Sequence, residues 1–187
     1  MLRKFSFIIG VLSLTSYFTL AQETEWDIAD RNIVRLSPDS FPQLPKIVSS
    51  YLKFEGYTIP QSYLITVKPH NVISGHFKNG SQTDWAVLAS KDRVSSILIF
   101  WNGMLDTISS IGIAPDKDYL QGIGGKAIAF SRSIELIGRK AVLDYVGGTD
   151  NVTLINEHDG INDLFLDKAS AIHYLSSGKW YKFYGVD

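Results

Sequence analysis

Cysteine is absent from the chain. Without it no disulfide can staple the fold, and neither thiolate catalysis nor thiolate metal ligation is available. An excess of one charge is missing too: 18 basic side chains stand against 19 acidic ones. That balance gives no electrostatic reason to expect nucleic acid or an anionic membrane as a partner. Internal repeats, low-complexity tracts and long linkers are also lacking, which leaves nothing to divide the chain in two. Several assembled motifs are missing as well. There is no Gly-x-Ser-x-Gly elbow, no His-x-x-x-His spacing for zinc, and no Lys-Ser/Thr after the glycine-rich Gly122-Ile123-Gly124-Gly125 to make it a phosphate cradle. That glycine run reads as a flexible loop.

One long apolar run is present, at the N-terminus. Arg3 and Lys4 precede Phe5–Leu20, and Thr19-Leu20-Ala21 then leads into the polar Gln22-Glu23-Thr24-Glu25. Basic residues, an apolar stretch and small residues at minus three and minus one form the layout of a secretory signal peptide. The stretch is interrupted by Ser6, Ser13, Thr15 and Ser16. It falls short of the roughly 20 apolar residues of a membrane span, so the expectation is residues 1–21 as signal peptide, with no span after cleavage. Cleavage removes two of the basic side chains and no acidic one, leaving a net charge near −3. Residues 22–187 are enough for one domain with a core. At 45% hydrophobic, with four tryptophans and nine tyrosines, the chain has the material to stabilise it by packing alone.

Residues 22–36 are mixed and acidic and read as a loosely attached leader, with a single domain over 37–187. After the turn formers at Pro38–Pro42, Leu44, Ile47, Val48, Tyr51 and Leu52 fall on one helical face, which predicts a helix over 43–54 ended by Gly56. The period then changes. Tyr63–Val67 and Val72–Phe77 are rich in β-branched and aromatic residues around a Pro69-His70-Asn71 turn. Trp85–Ala89 and Ile97–Trp101 are unbroken apolar runs, as expected of strands covered on both faces. With the polar Ser90–Arg93 between them they predict a central antiparallel hairpin, followed by a turn at Trp101–Met104. Lys126–Arg132 reads as a strand. Ile134, Ile137, Ala141 and Tyr145 have helical spacing, so a second helix is expected over 133–145, capped by Ser133 and ended by Gly147-Gly148. Ala169–Leu175 and Trp180–Tyr184, joined at Ser176–Lys179, predict a C-terminal hairpin. The fold class expected is α+β: one antiparallel sheet of roughly six to eight strands, a helix before it and another late in the chain.

Gly75–Leu88, GHFKNGSQTDWAVL, resembles one repeat of the FG-GAP or integrin-type propeller blades in its length, its glycine and phenylalanine, and its apolar end. The resemblance implies calcium ligands at His76, Lys78, Gly80 and Asp84. Only Asp84 carries a carboxylate there, and a hard cation needs six or more oxygens. One copy also cannot build a propeller. The segment therefore reads as a strand–turn–strand corner bent at Asn79-Gly80, with Asp84 as its single metal candidate. A wider resemblance rests on Phe41-Pro42-Gln43-Leu44-Pro45, Tyr57-Thr58-Ile59-Pro60-Gln61, Asp84-Trp85-Ala86-Val87-Leu88, Ser96–Trp101, His158-Asp159-Gly160-Ile161 and the segments from Lys168-Ala169-Ser170 to Gly185-Val186-Asp187. On these the chain resembles a family of exported bacterial proteins of unknown function. Members often carry cysteine where Tyr57 and Ala89 stand here, so no disulfide is implied for this chain. The resemblance implies export and a single domain, and no activity.

The densest polar cluster is Glu157-His158-Asp159-Gly160-Ile161-Asn162-Asp163. His158 with Asp159 or Asp163 would make a metal pair or an acid–base pair, because imidazole titrates near neutrality and a carboxylate can orient it. The simpler reading has Asp159 capping a short helical turn over 160–163 while His158 fixes the loop by a hydrogen bond. His173 alternates with its neighbours and reads as a hydrogen-bonded sheet residue. Trp85, Trp101, Trp180, Tyr181 and Tyr184 would form a platform for a ligand if they faced solvent together, and otherwise belong to packing. The sequence thus points to an exported, periplasmic or secreted, non-enzymatic binding or envelope-associated protein without a cofactor. Its partner would be a glycan, a peptide or a protein. The alternatives are a hydrolase or metal-dependent enzyme centred on His158, Asp159 and Asp163, and an inhibitor or toxin-neutralising protein acting through an exposed sheet edge.

Overall fold

The structure, a computed structural model, describes residues 23–63, 69–146 and 158–184. The signal-peptide stretch, most of the strand expected at Tyr63–Val67, the Gly147-Gly148 terminator and Glu157 lie outside those residues. The chain enters through a short helix, α1 (Glu25–Arg31). Its start is a capping box: the Thr24 hydroxyl oxygen accepts from the Asp27 amide, and the Asp27 carboxylate accepts from the Thr24 amide. This segment is not the loose leader expected from its acidity, because Ala29 and Ile33 pack into the central core. A two-residue strand, β1 (Arg35–Leu36), precedes α2 (Lys46–Phe54). The terminator of α2 is the one its sequence predicted. Gly56 takes φ +80°, its amide donates to Lys53 O and the Tyr57 amide donates to Leu52 O, the two bonds of a Schellman stop.

Strands follow: β2 (Ile59–Pro60), β3 (Val72–Gly75), β4 (Asp84–Lys91), β5 (Val94–Phe100), β6 (Ile108–Pro115), β7 (Leu120–Gly122), β8 (Ile128–Phe130) and β9 (Arg132–Ile137). Then come α3 (Arg139–Val146), β10 (Gly160–Phe165), β11 (Ala169–Ser176) and β12 (Lys179–Tyr184). The fold is mixed α+β and every strand pair is antiparallel, but the strands do not form one sheet. They divide into a four-stranded sheet ordered β3-β4-β5-β6, another ordered β12-β11-β10-β9, and the two-stranded pairs β1-β2 and β7-β8. The second helix is displaced. Ile134 and Ile137, which share helical spacing with Ala141, lie in β9, and α3 begins only after Gly138. Pairing with β10 along the whole of 132–137 outweighs the local 3.6-residue pattern. The turn expected at 160–163 is likewise the start of a strand, β10.

The apolar runs of β4 and β5 are buried on both faces. Ala86, Leu88, Ile97 and Ile99 face Ile134, Ile161 and Phe130 in a core between the two large sheets. Val87, Ala89, Leu98 and Phe100 face α2, where Val48 and Leu52 close a second core with Phe41, Leu44 and Ile59. A smaller cluster of Val142, Ile172 and Tyr174 covers the far side of the second sheet. The layers therefore run α2, first sheet, second sheet, α3. At the tip of the β4–β5 hairpin Asp92 and Arg93 take φ +51° and +62°, the positive pair that a tight two-residue turn requires. Asn71 ties the sheets together. At φ +73°, it accepts from the Ile134 amide and the Ser133 hydroxyl, and its Nδ2 donates to Pro60 O and Arg132 O, occupying the edge of β9 as a strand would.

Candidate functional site

The glycine-containing corner at 75–89 is held by Asp84. This carboxylate is wholly buried and accepts from the Asn102 amide (2.8 Å), the Phe77 amide (3.1 Å) and Gln82 Nε2 (2.6 Å). Its oxygens hold the loop and the next turn, so its geometry is that of a brace. The bend itself comes from Asn79, whose Oδ1 accepts from the Ser81 amide and hydroxyl. His158 is buried, stacks on the Tyr174 ring at 4.3 Å, and sits within hydrogen-bonding distance of the carbonyls of Leu175 (2.7 Å) and Asp159 (2.8 Å). It fixes its loop, as the simpler sequence reading held. Asp159 does not cap a helical turn. It turns to the corner instead, accepting from the His76 amide while its own amide donates to His76 O. The corner and the His-Asp turn do meet, through one backbone bond and one to the Asp159 carboxylate, at the surface. Asp163 lies elsewhere, on the inner face of β10.

Asp163 belongs to a different cluster, in which β10 brings it beside residues of β9 and β11. Arg132 in β9 is fully buried, and its fork meets the carboxylate with Nε–Oδ1 at 2.9 Å and Nη2–Oδ2 at 2.8 Å. The rest of the guanidinium spans the gap to the first sheet. Nη1 donates to Ser95 Oγ, Nη2 donates to Gly112 O at 2.6 Å, and the Tyr119 ring centroid lies 4.4 Å from Cζ. Gly112 must be glycine for two reasons. It takes φ +62° where β6 slips register against β5, and a Cβ there would stand 2.6 Å from Arg132 Nη2. His173, a sheet residue paired with Ile161 and Lys182, has its Nε2 3.6 Å from Asp163 Oδ2, an ion-pair distance. Burial alone would push the Asp163 carboxyl up. The Arg132 bonds, with His173 beside them, outweigh burial and hold it below the ordinary carboxylate range.

Beside this cluster the inner face of β10, β11 and β12 is left partly open next to Tyr119. A cleft of about 140 Å³ is lined by Tyr119, Phe165, Tyr184, Ala169, Ala171 and Lys182, with Asp163 at its floor. The aromatic candidates do not gather into one platform. Trp85 packs toward α2 and donates from Nε1 to Gln43 O. Trp101 and Trp180 stack on each other at 6.2 Å, and Tyr184 stands apart at the cleft. A serine–histidine pair, Ser62 Oγ and His70 Nε2 at 2.9 Å, resembles a nucleophile with its base. That nitrogen, however, also accepts from the Ser62 amide, Nδ1 is buried with no partner among the described residues, and Ser62 is itself buried, so the pair fastens a turn. Among the described residues no three histidine or carboxylate groups are placed to hold a metal ion, and no helix is long and apolar enough to cross a membrane. Sequence reasoning passed over Arg132, Tyr119 and Lys182. The available signal was Arg132 itself, a charge that alternates with the apolar Phe130 and Ile134 on one face of a strand, where burial demands a partner. Compared with known proteins, the chain matches no family model, no curated protein and no solved structure.

Proposed function

We propose that this chain is an exported binding protein, periplasmic or secreted, that works without a cofactor. The basic–apolar–small layout of residues 1–21 and the resemblance to an exported bacterial family support the export half. The cleft over the second sheet supports the binding half and is the observation that carries it. Its walls are aromatic and its floor carboxylate is already neutralised by Arg132, a combination suited to holding a ligand. The hydrolase or metal reading gains little support, because His158, Asp159 and Asp84 are each engaged with backbone groups and Asp163 lies on another cluster.

Metal analysis of the purified protein beside its His158→Ala variant tests this ordering. The expected result is no stoichiometric metal in either. Metal held by the parent and lost in the variant would overturn the binding reading. Mass spectrometry of the chain recovered from the cell envelope tests export, with a new N-terminus at Gln22 as the expected outcome and an intact Met1 in the cytoplasm as the contrary one. A second reading, an inhibitor that captures a partner strand, draws on the outer edge of β12, which among the described residues pairs with β11 alone and ends in Tyr184, 74% exposed.

A further inference from the structure

Four observations bear on what the cleft would hold. The first is size: about 140 Å³ is the space that a single benzene-sized ring fills in a protein interior. The second is shape. Tyr119 and Phe165 stand 5.4 Å apart as one tilted pair, Tyr184 closes the opposite side, and the floor strand offers Ala169 and Ala171, whose small side chains leave the space between the rings unfilled. Cross-strand register explains this geometry. Asp163 pairs with Ala171 and Ala171 with Tyr184, so the carboxylate, the methyl and the ring lie in one row across the inner face.

The third observation is charge. Both Asp163 oxygens are occupied by the Arg132 fork, so no carboxylate is left for a cationic ligand. Lys182 at the rim is the surplus charge. Its ammonium lies 4.9 Å from the Tyr184 ring centroid, and among the described residues no carboxylate stands within ion-pair distance of it. A second ammonium, Lys168, lies over the Phe165 ring at 4.5 Å. The fourth is register: Lys182 pairs with His173 and Tyr184 with Ala171 across β11 and β12, which sets Lys182 and Tyr184 on the same face as Asp163, the face the cleft opens on.

We infer that the cleft binds a small aromatic monocarboxylate, its ring between Tyr119, Phe165 and Tyr184 and its carboxylate outward at Lys182. This inference rests on the binding-protein reading and names the ligand class for that site. Benzoate is the probe and benzylamine, the same ring with a positive charge, is its control. Titrated into the ¹⁵N-labelled protein, benzoate should shift the amide resonances of 165, 169–171 and 182–184 saturably, and benzylamine should leave them in place. Lys182→Gln, at an exposed position, should keep the fold and weaken benzoate roughly threefold to fivefold, the worth of one partly exposed charge pair. Ala171→Leu should fill the cleft and abolish the shifts. No saturable response to benzoate, an equal response to benzylamine, or shifts confined to other residues would overturn the inference. If a soluble glycan or a short peptide then shifts resonances elsewhere, the ligand class falls and the binding reading stands. If the protein instead turns over an ester or peptide in a manner abolished by His158→Ala, both fall.

Discussion

Ser90 and Ser95 pair directly across the β4–β5 hairpin, and each is the first-sheet contact of a buried ion cluster. At Ser90, the hydroxyl donates to Asp116, which Arg35 grips through Nε and Nη2; Arg35 also reaches Asp30, and Asp30 accepts from Arg93 at 2.8 Å. Two acids and two arginines share the load, and they bind α1 and β1 to the hairpin. At Ser95, one arginine faces one carboxylate, with an imidazole beside them and an open cleft next door. The difference lies in redundancy and access. The first cluster is a chain of charges in which Asp30 and Arg35 each have two charged partners, Arg35 and Arg93 for the acid, Asp30 and Asp116 for the base. The second has a single pair, and both Asp163 and Tyr119, the ring over Arg132, line an open cleft. A joint of the first kind needs no cavity; the second combines structural charge with room for something else.

That contrast breaks most visibly at Asp163. Asp163→Ala strands a wholly buried guanidinium, for which the expected cost is about 3–5 kcal/mol, a large part of the roughly 5–15 kcal/mol that holds a typical domain together. Urea denaturation reads it as a fall in midpoint. Adding Arg132→Met should recover much of the loss, because an apolar side chain leaves no charge to strand. If the single variant is as stable as the parent, the pair is not the keystone described. Gly112→Ala comes next, at roughly 1–3 kcal/mol, since the new methyl would meet Arg132 in a backbone conformation that disfavours side chains. Asp30→Ala, in the redundant cluster, should cost only about 1 kcal/mol. Arg93 is half exposed and Arg35 keeps Asp116. A loss equal to that of Asp163→Ala would abolish the distinction between the clusters.

The parts of the fold legible beforehand were those governed by local chemistry. The helical face of α2 and its Gly56 stop, the doubly buried β4–β5 hairpin and the C-terminal hairpin each follow from residues that are neighbours in the chain. What was not legible depended on distant pairing. Arg132–Ile137 carries helical spacing in part, and becomes a strand because β10, more than twenty residues on, offers it a full ladder. The splitting of one sheet into two was hidden for the same reason, since no local signal tells which hairpin edges go unpaired. Among site residues, Asp163 was visible as an acid near a histidine, but its true partner, Arg132, is 31 positions away. The adjacency of His158 and Asp159 misled because neighbours along an extended chain point to opposite sides.

The smallest expected effect separates the clusters from the rest of the molecule by pH. Between pH 7 and 5 Asp163 should contribute a constant term, because its carboxyl is held low; its share of stability is present above about 3.8 and is lost as pH falls below that, through the folded value. His70 behaves differently. Burial lowers its pKa below 6.5, so as pH drops past 6.5 the unfolded chain takes up a proton before the folded one does. Stability should therefore decline from about pH 6.5 down to the folded value and then level off. His70→Gln places an amide oxygen where Nε2 accepts from the Ser62 amide, keeping the turn while removing the titration. Chemical denaturation across pH 5 to 7 should show a shallow slope in the parent and a flatter one in the variant. An unchanged slope would assign the proton uptake to a group other than His70.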